Sequence, residues 1–405
     1  MALPSGVSKL AVRTVRLLPG SLQRRILPAR LGFEPAERFP LPTPDDVPVR
    51  LFIGPVNFAG QGWQWARATE AHLDGVDAVS MAYSAAKDFR FPVDQSVPAS
   101  VYLMSRAWQR AQREGIGDGF THAIVEAGRH LFGDVYGQTV ADEIRWLQSR
   151  GIRVAMLTHG SDMRSPRRHF ATHAHSPFGE GEWDMTPRLV EEAERNRALL
   201  DEVGVPIFVS TPGMLVDVPE GTWLPVVIDV PRWRTDRIPL AGVPLVVHAP
   251  SNPVIKGTAL VEPVLRRLVA EGLIRYERVE GVPAAQMPEF FSRADIVLDQ
   301  VRIGDYGVAA CEAMAAGRVV LGNVDEQVRE HVREATGRDL PIVQADPDTL
   351  EVVLRDIVAR PEAARAIAEA GVRFVGSVHD GRMSAHVMSG FLGAPATAGP
   401  TREDG

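Results

Sequence analysis

From residue 49 onward the chain alternates short apolar runs with amphipathic stretches, and it does so in two series. The first series predicts strands at 49–53, 78–82, 122–126, 153–158 and 206–210, with helices at 63–73, 98–114, 134–150 and 188–203. A proline-rich connection at 219–241 follows. The second series predicts strands at 245–247, 274–279, 296–298, 319–321 and 341–343. Its helices are expected near 258–270, 284–293, 306–316, 325–334, 347–359 and 362–371, and a last one at 380–391 closes the pattern. Parallel strands need long crossovers, so this alternation specifies parallel sheets covered by helices on both faces. A chain of 405 residues exceeds one ordinary core. The expectation is an α/β protein of two tandem Rossmann-like domains facing a central cleft.

The same pattern divides the chain. Residues 1–47 read as a basic N-terminal arm and linker, 48–218 as the first domain, 219–241 as the connection and 242–378 as the second domain. Residues 379–391 form the closing helix and 392–405 a disordered tail. The first 33 residues hold Lys9, Arg13, Arg16, Arg24, Arg25 and Arg30 and no acid. Such an arm suits peripheral contact with an anionic membrane face, or packing on its own protein or a partner. A net charge of −7 gives no overall case for nucleic acid. One cysteine, Cys311, leaves no intrachain disulfide or cysteine zinc site. No apolar run is long enough to span a bilayer and no secretory signal is evident, so a cytoplasmic location is expected, with residues 1–33 a candidate contact for the membrane's inner face.

In tandem α/β domains, ligands sit at the carboxyl ends of strands. The segment 294–317, ADIVLDQVRIGDYGVAACEAMAAG, reads as strand, polar loop and alanine-rich helix. The first N–H groups of such a helix lack partners and carry the positive end of its dipole, a ready anion site. Glu312, inside that helix, leans back toward its N-terminus, where a carboxylate suits a sugar hydroxyl or only solvent. In the segment 246–258, VVHAPSNPVIKGT, Lys256 precedes a helix starting near Thr258. It is one of only three lysines, and a point charge there suits a phosphate or a solvated loop.

On the first domain, GPVNFAGQGW places Gly60 and Gly62 after a strand. They suit close backbone approach to a phosphate or sugar, or a tight turn without ligand. The dinucleotide fingerprint needs a small residue where Trp65 stands, which disfavours an oxidoreductase. The strand ending at Thr158 runs into His159-Gly160-Ser161-Asp162, which puts an imidazole at the cleft mouth. His169, His173 and His175 stand among Arg164, Arg167 and Arg168, a basic loop rather than a metal site. Asp346 and Asp348 precede a helix and read as N-capping.

The pairing of HAPSNPVIKGT with ADIVLDQVRIGDYGVAACEAMAAG resembles the group 1 glycosyltransferases, the family 4-like retaining enzymes of the GT-B fold. The similarity covers about residues 245–325, and His159–Arg164 and the Gly60 loop resemble the acceptor-side domain more loosely. The resemblance implies a nucleotide-diphosphate sugar as donor and a glycan, lipid-linked or small-molecule acceptor, with no metal and no cofactor. It implies that Lys256 and Gly257, with the backbone around Tyr306, Gly307 and Val308, hold the diphosphate. Glu312 would bond the ribose, the loop after Val279 would face the base, and His159 would bond the donor sugar. His159, Lys256 and Glu312 are then the catalytic candidates, Gly60 and Gly62 belong to the donor side, and Asp162 and Arg164 lie on the acceptor side. One departure is plain. Where the family has the first Glu of its Glu-x7-Glu signature this chain has Gly304, with Asp299, Gln300 and Asp305 as the nearby polar groups. Two other readings stay open: a non-catalytic nucleotide-sugar binder, and a nucleotide-sugar 2-epimerase with further carboxylates facing His159.

Overall fold

The computed structural model of the protein describes residue 22 and residues 38–84, 90–134 and 137–397. The basic arm expected at 1–33, Leu22 apart, and the expected tail from 398 onward lie outside the described residues.

Two parallel sheets form the frame. The first contains β1 (Val49–Gly54), β2 (Val76–Ser84), β3 (Gln95–Pro98), β4 (His122–Glu126), β5 (Arg153–Thr158), β6 (Ile207–Val209) and β7 (Thr222–Trp223), in the order β3-β2-β1-β4-β5-β6-β7. The second contains β8 (Leu245–His248), β9 (Arg275–Arg278), β10 (Ile296–Leu298), β11 (Val319–Gly322) and β12 (Val343–Gln344), in the order β12-β11-β10-β8-β9. Every ladder within them is parallel. The central strands are apolar on both faces because helices cover both: β4, β8, β10 and β11 are buried throughout. Register brings the strand ends level, with Leu298 beside His248 and Leu321, so the loops after β8 and β10 open side by side.

Trp65, which breaks the dinucleotide pattern, is a core residue. It is fully buried and its indole N–H donates to the Pro225 carbonyl at 2.8 Å, fastening the helix Gln61–His72 to the connection. The closing helix Arg382–Leu392 returns to the first domain: Ser384 Oγ donates to Pro225 O at 2.7 Å, and Phe391 packs edge-on against His122 and Phe208.

Several expectations need correction. Residues 392–397 are not a tail: Ala394 is buried, Asp74 N donates to Pro395 O at 3.1 Å and Thr397 N to His72 O at 2.9 Å. Residues 38–47 are not a free linker, since the Phe39 carbonyl accepts from Gln95 Nε2 and Trp108 Nε1. The helix expected over 98–114 is two, Ala99–Met104 and Arg106–Gly119, because Ser105 leaves helical geometry to cap the second through Trp108 N. The strands β3 and β7 lie where the sequence carries no apolar run that marks them.

Candidate active site

The loop after β8 is built by Asn252. Its Oδ1 accepts from Val254 N at 3.0 Å and Ile255 N at 3.3 Å, opening a single helical turn, Pro253–Lys256. Gly257, at φ +79°, ends that turn and admits the helix Thr258–Ala270; a Cβ there would lie 3.0 Å from Arg302 Cγ. Lys256 therefore stands just before the helix that starts at Thr258, as the sequence suggests, and also ends the single turn Pro253–Lys256. Its ammonium pairs with the buried carboxylate of Asp299. Asp299 orients Lys256 at the mouth of β10.

The loop after β10 folds around Gln300. Its amide donates to the carbonyls of Asp305 and Asn323, and its Oε1 accepts from Arg302 N at 2.9 Å and Ile303 N at 2.7 Å. Gln300 is thus a brace of the loop. The helix Val308–Ala315 follows, with extended Gly307 at its N-cap and no side-chain cap, which leaves its first N–H groups open for an anion. Gly304 has φ +73°, and a Cβ there would lie 2.5 Å from Cγ and Oδ1 of Asp325. A side chain at this position would have to displace the Asp325 carboxylate and hold a left-handed backbone. The Asp325 carboxylate occupies the space and bonds His173 Nε2 at 2.8 Å.

Glu312 is partly buried in the helix behind Gly307, and no side chain among the described residues hydrogen-bonds its carboxylate. Burial pushes its pKa up to about 8, Asp299 adds to the rise, and Arg232 and Lys256 oppose it. An acid of this kind binds its proton more tightly folded than unfolded, so stability falls as pH climbs from about 4.5 to about 8. Glu312→Gln removes that loss. Thermal midpoints at two pH values check it: the variant exceeds wild type by several degrees at pH ~8.5 and matches it at pH ~4.

On the first domain, His159 follows β5. Its backbone N and that of Gly160 donate to Asp162 Oδ1, at 3.0 and 2.7 Å, so Asp162 shapes the loop and is itself buried. The imidazole packs edge-on against Phe58 and tilted against Trp65. Its Nε2 lies 3.2 Å from Oε1 of Glu126, at the carboxyl end of β4. Glu126 escaped the sequence analysis, although the strand-end argument that selected His159 applies to it equally.

The two domains meet at the loop after β10. Asp305 is buried in the first domain, accepting from Thr211 Oγ1 at 2.6 Å and Arg164 at 3.4 Å. Burial raises its carboxyl above the ordinary range, with Arg164 and Thr211 opposing. Arg302 reaches the same way, donating to His175 O at 2.6 Å, Ser176 O at 2.7 Å and Glu182 Oε2 at 2.7 Å. The histidines of the basic loop face the second domain: His169 bonds Ile303 O, His173 bonds Asp325 and His175 bonds Asp348. Arg302→Met leaves these carbonyls without their donor and is expected to cost about 2 kcal/mol. A melting curve several degrees lower and a more extended X-ray scattering profile check it.

Two cavities share this junction. One of about 410 Å³ is lined by Lys256, Glu312, Val308, Val279 and the Glu280–Val282 loop, with Phe58, Ala59 and Phe91 of the first domain across from them. The other, of about 320 Å³, is lined by His159, Arg164, Lys256, Asp299, Gln300, Asp305, Tyr306 and Gly307, with Trp183 at its side. Lys256 lines both. The structure thus brings together Lys256, Val279, Asp299, Gln300, Asp305, Tyr306, Gly307, Val308, Glu312, His159 and Arg164. Gly60, Gly62, Gly257 and Asp162 line neither cavity. Gly60 is pressed on Phe91 and Gly62 on Asn57, so their small size serves packing.

Comparison with known proteins follows the same division. Residues 241–388 match the family described as glycosyl transferase-like. No curated protein matches the sequence. Among solved structures, sucrose-phosphate synthase from Thermosynechococcus elongatus superposes with a TM-score of 0.53 at 13% identity, over 84% of this chain and 97% of its own. Anabaena HepE, solved in complex with UDP-glucose, gives 0.52 at 9% identity, over 85% of this chain and 99% of its own. Both likenesses are of fold. The chain has the GT-B fold, and its residues 241–388 are similar to the glycosyl transferase-like family.

Proposed function

We propose that the protein transfers a sugar from a nucleotide-diphosphate donor to an acceptor hydroxyl on a glycan, a lipid-linked molecule or a small molecule, with retention at the anomeric carbon. Residues 242–378 are the donor-binding domain and 48–218 the acceptor-side domain. The observation that carries this reading is the place of Lys256, on the shared wall of a cavity ending at Glu312 and a cavity bounded by Gly307 and His159. HepE, built on the same frame, holds UDP-glucose in its complex.

The nucleoside lies in the larger cavity, with its ribose on Glu312 and its base beside the Val279–Val282 loop. The diphosphate lies between Lys256 and the open amides at Gly307 and Val308. The anomeric carbon then faces the second cavity, where His159 bonds the donor sugar. As the bond from the anomeric carbon to the phosphate oxygen breaks, negative charge collects on the diphosphate. The ammonium and the helix N-terminus are fixed in place to stabilise it. The acceptor oxygen forms its bond on the same face and gives its proton to the departing phosphate. This reading uses no metal and no carboxylate nucleophile.

The 2-epimerase reading asks for carboxylates facing the substrate beside His159. Glu126 stands next to that imidazole, but it is buried and holds Val56 N and Asn57 N, an arrangement that favours transfer over epimerisation. A radiolabelled nucleotide sugar incubated with an acceptor panel, with and without chelator, tests the proposal. Labelled acceptor in both arms is the expected result. Label lost only on chelation removes the metal-free step, a nucleotide sugar changed without any acceptor restores the epimerase, and binding without turnover restores the non-catalytic binder.

A further inference from the structure

One buried carboxylate lies behind the site. Glu126 is without solvent exposure, and its Oε2 accepts from Val56 N and Asn57 N, each at 3.0 Å. Those amides begin a turn that a chain of L-residues adopts at a cost, since Asn57 (φ 48°) and Ala59 (φ 51°) are both left-handed. The turn carries Phe58 and Ala59 onto the wall of the donor cavity. The other oxygen, Oε1, stands 3.2 Å from His159 Nε2, and in this structure neither atom completes a hydrogen bond. The ring is closed in by Phe58 and Trp65, while the backbone of His159 is fixed by Asp162. Its polar edge is thus left with the Glu126 carboxylate on one side and the acceptor-side cavity on the other. A contact that is poorly aligned without ligand is one that tightens when substrate fixes the ring.

We infer that Glu126 is a positioning residue: one carboxylate oxygen holds the Val56–Gly60 turn against the donor cavity, and the other aims the imidazole of His159 into the acceptor-side cavity. Its catalytic consequence rests on the glycosyl-transfer reading, but its geometry does not. Glu126→Gln nearly preserves the shape and offers one acceptor oxygen for two tasks. Glu126→Asp keeps the charge and withdraws it by one methylene, a second variant should the first not fold.

The first measurement needs no activity. Side-chain ¹H–¹⁵N spectra of full-length protein are recorded for wild type and both variants, with the ring signals assigned by their loss in His159→Asn. The ring signals of His159 and the backbone amides of Phe58 and Ala59 are expected to move together in both variants. Ring signals that stay in place overturn the proposal, whatever the turn does. The second measurement is the turnover of sugar transfer. Glu126→Gln is expected to lower kcat by roughly 30-fold with donor KM within about threefold, and by less than about threefold when His159 is already Asn. Fully additive losses overturn the coupling. A wild-type protein that transfers no sugar sinks the functional reading alone, and the spectra still decide the role of Glu126.

Discussion

Lys256→Ala is expected to lower kcat/KM for sugar transfer by roughly 10²–10³-fold, the usual loss when one preorganised charge-stabilising donor is removed. The loss falls on turnover more than on acceptor affinity, because negative charge on the diphosphate is greatest as the sugar departs. Asp299 sharpens the prediction. It holds Lys256 at the border of both cavities, and alanine leaves the buried Asp299 carboxylate unpaired. That carboxylate then repels the phosphates, so the variant has lost an attraction and gained a repulsion. Lys256→Met with Asp299→Asn separates the two effects. The double variant is expected to recover nucleotide affinity relative to Lys256→Ala but not turnover, as steady-state kinetics and calorimetry on the same samples would show.

Gly304→Glu, which restores the family's acid, is expected to destabilise the protein by about 2–4 kcal/mol and to abolish transfer instead of improving it. A left-handed φ costs an L-residue about 1–2 kcal/mol. The new Cβ must also displace the Asp325 carboxylate from His173, a contact between the two domains. Gly304→Ala carries most of the same cost, so a denaturant midpoint nearly equal for the two variants shows that backbone and Asp325 are responsible. A Glu variant as stable and active as wild type would mean that the loop can return to the family's conformation.

The departure at Gly304 also marks the limit of what the sequence makes legible. Both sheets, β3 and β7 apart, could be read from it because buried parallel strands are continuous apolar runs. The residues 294–317 announced a strand, a polar loop and a helix. Pairwise placement was not legible. Nothing local in NPVIKGT shows that Lys256 ends a helical turn and meets Asp299, 43 positions away. Gln300 and Asp305 were legible as polar groups of a Gly-containing loop, but not that one also braces the loop and the other anchors it to Thr211. Gly60 and Gly62 stayed open in the sequence because glycine after a strand serves close packing, here on Phe91 and Asn57, as readily as close ligand approach. The helix expected to stop at Gly371 runs on to Val378; that glycine is interior to the helix and packs close on Met314.

The central claim is that a diphosphate binds between the Lys256 ammonium and the amides opening the Val308–Ala315 helix. A crystal structure of the protein with a bound nucleoside diphosphate tests it most directly. The account predicts both phosphates within hydrogen-bond distance of Lys256 Nζ and the N–H groups of Gly307 and Val308, with the ribose hydroxyls on Glu312. Phosphates held anywhere else, with Lys256 still paired only to Asp299, would contradict it.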